Sequence, residues 1–255
     1  IPSVFSKDEL GGIDQTIRDL TDQAIESGQA DKIMELEPQQ VNGQYVPRRI
    51  YNPFDQHECF RKLATDDRIL NRIESLIGPN IALHHSKLNM KPGKVGSVVE
   101  WHQDLAYFPH TNDDLVTTLI YLDDATEENG CLQVIPGSHR GPVLDHHLDG
   151  HFAGAVTAPD FDDSGAVPIE LEAGDISIHH TRTLHASLPN VSAQPRRLLL
   201  FQYCAADAWP LAGVSDWDQF NRNILRGEPN NQPRLANVPI RMPLPPPKRD
   251  GSIYE

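Results

Sequence analysis

The run IALHHSKLNM at residues 81–90 is where the texture of this chain changes, and its reading decides the fold. Upstream of it apolar residues recur at helical spacing; downstream, short β-branched and aromatic runs alternate with turn residues. Further runs of that kind occupy 97–107, 115–122, 131–135, 166–171, 175–180 and 197–204. Asn129-Gly130 and Pro136-Gly137-Ser138 are turn signals on either side of 131–135. Seven or eight short strands in one block predict a sandwich or barrel, not a parallel α/β sheet. Working outward, Ser6-Lys7-Asp8-Glu9 has the capping-box pattern, and Leu10, Ile13, Ile17, Leu20 and Ala24 mark one helix face until Gly28 stops it. Ile69, Leu70, Ile73, Leu76 and Ile77 mark a second helix over 67–77, ended by Gly78-Pro79. A helix is predicted over 217–226, with Trp209, Trp217 and Phe220 packing it onto the barrel. The proline-rich tail at 243–247 cannot join a central strand and is expected to wrap the surface. No repeat or linker is visible, so 1–255 is expected to be one domain: helical support at 1–80, a β core at 81–205, then the helix and tail at 206–255.

Composition narrows the function. The formal net charge of −14 repels nucleic-acid phosphates and anionic lipids, so neither nucleic acid nor membrane is expected as a partner. No apolar run is long enough to span a bilayer and the start does not resemble a signal peptide, although a chain beginning at Ile1 leaves room for missing N-terminal residues. Cys59, Cys131 and Cys204 are too few and too widely spaced for a disulfide framework or a CxxC site. Reduced thiols in a cytoplasmic protein are the expectation. Nothing in the pattern sets an oligomeric state.

Chemistry concentrates at His102-Gln103-Asp104. Two residues apart on a predicted strand, His102 and Asp104 leave the same face. One more imidazole from a distant strand would complete two histidines and a carboxylate on one face of an octahedral ion. Such a set suits iron(II): a 2-oxo acid takes two of the three open positions and O2 the third, vacancies that closed zinc sites lack. A second such tripeptide, His147-Leu148-Asp149, lies in a polar stretch only 38 residues before His185, too few for the intervening strands, whereas the His102 copy leaves 83. The third ligand falls among His179, His180 and His185, and Arg196 favours His185. Iron(II), the Asp104 carboxylate and dianionic 2-oxoglutarate carry one net negative charge, which a single planar guanidinium neutralises while gripping the distal carboxylate. Arg196 would lie beside the His185 strand if the two pair as a hairpin across 188–195. Arg197 would point the other way, to the surface.

The stretches WHQDLAYFP (101–109), ENGCLQVIPGSH (128–139), GDISIHH (174–180) and HASLPNVSAQPRR (185–197) resemble, in order, those of the phytanoyl-CoA dioxygenase family, over about half the chain. The resemblance implies a mainly β protein with flanking helices and a double-stranded β-helix (jelly-roll, cupin-like) core. It also implies Fe(II), 2-oxoglutarate and O2, with oxidation, by default hydroxylation of a C–H bond, of a small-molecule substrate and release of succinate and CO2. His102, Asp104 and His185 match the family's iron ligands and Arg196 its 2-oxoglutarate arginine. Lys87, Thr117 and Leu119 fall where the family lines its cosubstrate pocket; a tryptophan stands at the Leu119 position in the best-known member, so the wall differs here. Related halogenases replace the carboxylate ligand with a small residue, so Asp104 argues against halogenation.

Ser187 is placed either to donate to the cosubstrate carboxylate or to cap the following turn. Gln103, Tyr107 and His180 are candidates to support the metal ligands or face the substrate, and one of His84 and His85 points inward. The loop 145–163 and Arg222, Arg226, Arg234 and Arg241 are candidates for a substrate lid. Two rival readings remain: a non-catalytic jelly-roll that binds metal and a 2-oxo acid as a sensor, and a cupin-like isomerase or hydrolase using the metal as a Lewis acid. Both tolerate loss of Arg196; the oxygenase does not.

Overall fold

The computed structural model describes residues 1–28, 30–37, 43 and 46–246. Its first segment is α1 (Lys7–Leu10), α2 (Ile13–Glu26), α3 (Ala30–Ile33), β1 (Met34–Leu36), β2 (Pro47–Tyr51), α4 (Pro53–Gln56), α5 (Glu58–Ala64) and α6 (Asp67–Ile77). The Ser6–Glu9 capping box is present, but Gly11 and Gly12 split the first expected helix in two. Helix α6 runs over the predicted residues between an Asp66 side-chain cap and Gly78 at φ 92°. It buries Ile69, Leu70, Ile73 and Ile77, while Leu76 is exposed.

Beyond α6 come β3 (Ile81–Lys91), β4 (Val99–His102), α7 (Asp104–Tyr107), β5 (Leu115–Tyr121), β6 (Leu132–Val134), β7 (His147–Leu148), β8 (His151–Phe152), β9 (Val167–Ile169), β10 (Ile176–His180), β11 (His185–Ser187) and β12 (Arg196–Ala205). The chain closes with α8 (Trp217–Arg222) and β13 (Ile224–Arg226). A major antiparallel sheet is ordered β1-β2-β3-β12-β5-β10, with β13 also on β3. A minor one is ordered β4-β11-β6-β9, and β7-β8 form a separate ribbon. This is a mainly β, jelly-roll architecture with flanking helices.

Alternation assigns each sheet face. On β12, Leu199 and Phe201 join the core built by α2, α6 and the buried Leu88, Ile120 and Tyr203, so the helices cover the outer face of the major sheet. Leu198, with Leu119, Tyr121, Leu132 and Cys131, packs in a smaller cluster between the two sheets. Polar Gln202 and Arg196 share that inner face.

Three expectations change. The strand expected at 97–107 stops at His102, and Asp104 opens the short α7; because Gln103 is extended (φ −124°, ψ 128°), His102 and Asp104 still project to the same side. The helix expected over 217–226 ends at Arg222, and β13 follows; Trp209, Trp217 and Phe220 pack on one another at 5.3–5.8 Å. The strands carrying His185 and Arg196 form no hairpin: β11 pairs with β4 and β6, and β12 with β3 and β5, so the two residues come from different sheets. In the tail, the Pro245 and Pro246 carbonyls accept from Phe152 N and His151 Nδ1, so it lies on the β7-β8 ribbon; Pro247 falls outside the described residues.

Ile73 is fully buried between α6 and the sheet. Ile73→Ala is expected to lower stability by about 2–5 kcal/mol through lost burial plus a residual cavity, measured by urea unfolding, with near-UV circular dichroism of the remaining native state unchanged.

Candidate metal centre

His102 ends β4 and His185 begins β11, and the two are directly paired across the minor sheet, their ring centroids 4.1 Å apart. Each ring is oriented by the backbone two residues upstream: His102 Nδ1 lies 2.8 Å from the Glu100 carbonyl and His185 Nδ1 2.9 Å from the Thr183 carbonyl. A carbonyl can only accept, so both Nδ1 atoms carry the proton and both Nε2 lone pairs are available. These Nε2 atoms lie 3.8 and 3.7 Å from Asp104 Oδ1, and the three donor atoms fall within 4.8 Å of one another.

The carboxylate is anchored from the other sheet. Thr117 Oγ1 on β5 donates to Asp104 Oδ2 (2.9 Å), and Gln202 Nε2 on β12 donates to the same oxygen (3.1 Å) and to Thr117 Oγ1 (3.1 Å). With its amide nitrogen so used, Gln202 presents Oε1 to His84 Nδ1 at 2.9 Å. A bulge opposite Gln202–Tyr203 brings both His84 and His85 to this row. Burial pushes the imidazoles down, His185 to about 4 and His102 well below its ordinary value. Burial would raise Asp104, but His185, His179 and His102 outweigh it and hold the carboxyl well below its usual range. Neutral imidazoles beside an ionised carboxylate are the protonation state a divalent metal needs.

The donor set fits iron(II). Two imidazoles and one carboxylate form an open site, and each donor already has an orienting hydrogen bond on its far side.

The triad opens into a cavity of about 490 Å³ between the sheets. Arg196 lines it, 3% exposed, donating from Nε (3.1 Å) and Nη2 (2.8 Å) to the Gly130 carbonyl, with burial pushing its pKa down to about 10. Gly130 has φ +76°, and a Cβ there would meet the Leu188 carbonyl oxygen at 2.3 Å, so only glycine supports this seat. Lys87, Leu119 and Ser187 also line the cavity; Thr117, expected beside a cosubstrate, does not, because its hydroxyl is spent on Asp104.

Lys91 went unnoticed in the sequence. Buried opposite Arg196, it donates to the carbonyls of Ser97 (2.6 Å), Ser187 (3.3 Å) and Leu188. It reads as an ordinary strand lysine until those carbonyls are placed around it. Glu35, Arg48, Arg49 and Tyr51, from the unforeseen β1 and β2, also line the cavity. Gln103 is fully buried as a clamp, bonded to the backbone of Pro142, Leu144 and Arg182. Tyr107 faces the cavity and donates to the Gly154 carbonyl, whereas His180 lies outside it, 3.9 Å from Asp113. The His179 ring lies tilted against His185 at 4.7 Å, with Nε2 3.7 Å from Asp104, outside the three-donor cluster.

His147 of the second tripeptide has its ring nitrogens on Asp145 (2.9 Å) and the Met242 carbonyl (3.1 Å). Of the lid candidates, only Phe152–Gly154 reaches the cavity; Arg226, Arg234 and Arg241 pair with surface carboxylates and Arg222 is not among the lining residues. Arg197 joins Asp123 and Asp14 on the opposite sheet face.

A family model described as phytanoyl-CoA dioxygenase matches residues 1–198. A probable alpha-ketoglutarate-dependent hypophosphite dioxygenase of Stutzerimonas stutzeri is 35% identical, over all of this chain and 91% of its own. L-proline trans-4-hydroxylase of Streptomyces griseoviridis is 31% identical, over 63% of this chain and 68% of its own. The crystal structure of the non-heme alpha ketoglutarate dependent carbocyclase SnoK has the same fold, with TM-score 0.67 and 24% identity over 90% of this chain and 87% of that one.

Gln202→Leu removes one donor from Asp104 and is expected to weaken divalent-metal affinity about 10- to 100-fold, read by competition with a metallochromic chelator. Protons compete with the metal for imidazole lone pairs, so two ordinary histidines of pKa about 6.5 would cost roughly 70-fold in affinity between pH 7 and 5.5. With His185 near 4 and His102 also lowered, that loss should stay within a fewfold.

Proposed function

The chain belongs to the phytanoyl-CoA dioxygenase family and is an iron- and 2-oxoglutarate-dependent dioxygenase, and from that premise we propose that His102, Asp104 and His185 hold the iron and Arg196 seats the distal carboxylate of 2-oxoglutarate. The observation that carries this reading is the three-donor cluster sharing one cavity with a buried guanidinium. When bound, iron(II), 2-oxoglutarate and O2 supply the oxidising chemistry, yielding succinate, CO2 and an oxidised, by default hydroxylated, small molecule.

The residues of the chain supply position and environment. The neutral His102 and His185 donate Nε2 lone pairs, and Thr117 and Gln202 keep Asp104 aimed. Arg196, rigidly held by Gly130, offers its remaining N–H groups to a carboxylate; Ser187 lies on the same wall, and Leu119, Leu198 and Leu200 form an apolar surface for the methylenes between. Tyr107, Phe108 and Phe152 restrict water at the metal end. The names of the relatives span hypophosphite, L-proline and ectoine, so these three open any substrate panel.

Anaerobic addition of 2-oxoglutarate to the Fe(II) protein should produce a visible charge-transfer band, and admission of air with substrate should release succinate. Arg196→Leu is expected to raise the 2-oxoglutarate Kd about 100-fold, roughly 3 kcal/mol, by removing a charged hydrogen-bonded partner. No band in the wild type, or an unchanged Kd in the variant, would sink these assignments.

A further inference from the structure

One wall of the cavity is too positive for iron and 2-oxoglutarate alone. Its described lining carries five basic side chains, Arg48, Arg49, Lys87, Lys91 and Arg196, against three carboxylates, Glu35, Glu37 and Asp104. Burial pushes the Lys91 pKa down to about 6, so it is mainly neutral at pH 7. A divalent metal and a dianionic cosubstrate cancel each other, and one positive charge remains in excess, inside a protein whose net charge is −14.

Most of these side chains are engaged. Arg196 holds Gly130, Lys91 holds three carbonyls, Arg49 reaches Asn89 Oδ1 (3.1 Å) and Glu35 (3.4 Å), and Arg48 pairs with Glu35. Lys87 differs. Among the described residues no hydrogen bond or ion pair reaches its Nζ, whose contact is the Phe108 ring at 5.4 Å. Burial, with Arg49 next, pushes its pKa down to about 8, so the ammonium remains the main form at neutral pH. A partly buried cation with no anion beside it is stabilised when one joins it.

The cosubstrate tail already has Arg196 as its assigned partner. Arg196 stands opposite Lys91, four residues along β3 from Lys87, about 13 Å of strand. Asp104 acts on Lys87 only through space, its Oδ2 being taken by Thr117 and Gln202. On β2, Arg49 and Tyr51 are registered opposite Asn89 and Lys87, so Arg49 is the diagonal neighbour of Lys87.

We propose that Lys87, backed by Arg49 and Asn89, binds an anionic group of the second substrate, which makes that substrate a small oxyanion, a carboxylate or a phosphorus oxyanion. The proposal rests on the iron and 2-oxoglutarate assignment of the same cavity and moves Lys87 from the cosubstrate, where the family resemblance put it, to the substrate.

The test follows the charge-transfer band of the anaerobic Fe(II)–2-oxoglutarate protein during titration with hypophosphite, methylphosphonate and acetate, and with the neutral dimethyl methylphosphonate and acetamide. At least one oxyanion should perturb the band saturably at millimolar concentration, and neither neutral compound should; which oxyanion responds separates phosphorus from carboxylate chemistry. Lys87→Met should weaken that response tenfold or more and Lys87→Arg should largely retain it, while the 2-oxoglutarate Kd measured without oxyanion stays within about twofold in both. No oxyanion response, an equal response to the neutral compounds, or a parallel loss of 2-oxoglutarate affinity in Lys87→Met would overturn it. Failure of the band to form at all would instead remove the iron and 2-oxoglutarate assignment on which it stands.

Discussion

The Asp104 carboxylate is the constraint around which the rest is arranged. It leaves the chain just after the minor sheet ends, yet both side chains that donate to it stand on the major sheet. A buried carboxylate lacking such donors would cost several kcal/mol or take up a proton. Thr117 and Gln202 therefore do two things at once: they fix the direction of the Asp104 carboxylate, whose charge the neighbouring imidazoles favour, and tie α7 to the opposite layer. With the imidazoles supplied by a directly paired His102 and His185, the three donors converge from two sheets without any of them lying on a flexible loop.

A second polar tie closes the far end. Arg196 and Lys91, neighbours on the major sheet, both donate into backbone belonging to the minor one, at Gly130 and at residues 187–188. Between the two ties the sheets stay apart, because the apolar plug of Leu119, Tyr121, Leu132 and Leu198 is small. Two apolar sheet faces would ordinarily collapse onto each other. Buried polar groups with fixed partners resist that collapse, since closing the gap would break bonds whose loss leaves charges unsatisfied. The cavity is a consequence of where the polar residues fall on the inner faces.

Much of this was legible in the sequence because alternation survives local irregularity. The relation of His102 to Asp104 held although the expected strand broke between them, since one extended residue, Gln103, was enough to preserve it. Arg196 and His185 were paired for a sound electrostatic reason and a mistaken topological one: they line one cavity from different sheets, a long-range arrangement that strand-by-strand reading cannot resolve. The family resemblance put Thr117 beside the cosubstrate; in the structure its hydroxyl donates to the Asp104 carboxylate. Lys91 carried no signal and the clamp role of Gln103 could not be read, because their partners are backbone carbonyls and amides from segments distant in sequence. The glycine at 130 looked like a turn residue and is one, yet its missing side chain also makes room for Leu188 beside the Arg196 seat.

Strands β1 and β2 bear on how one scaffold serves different substrates. The recognisable motifs lie between 81 and 204 and supply the metal donors and the arginine seat, whereas Arg48, Arg49 and Tyr51 come from residues 47–51, which carry no motif. Register places them beside Asn89 and Lys87, at the edge of the inner face and away from the Asp104 donors on β5 and β12. A sheet edge can gain or lose such strands without disturbing the hydrogen bonds of the central ones, so charge there can change while the chemistry next to it does not. Their cations sit against an overall acidic surface, and within a low-dielectric cavity local charge outweighs a net charge spread through water. The −14 that argues against polyanionic partners at the surface is therefore compatible with an interior wall that favours a small anion.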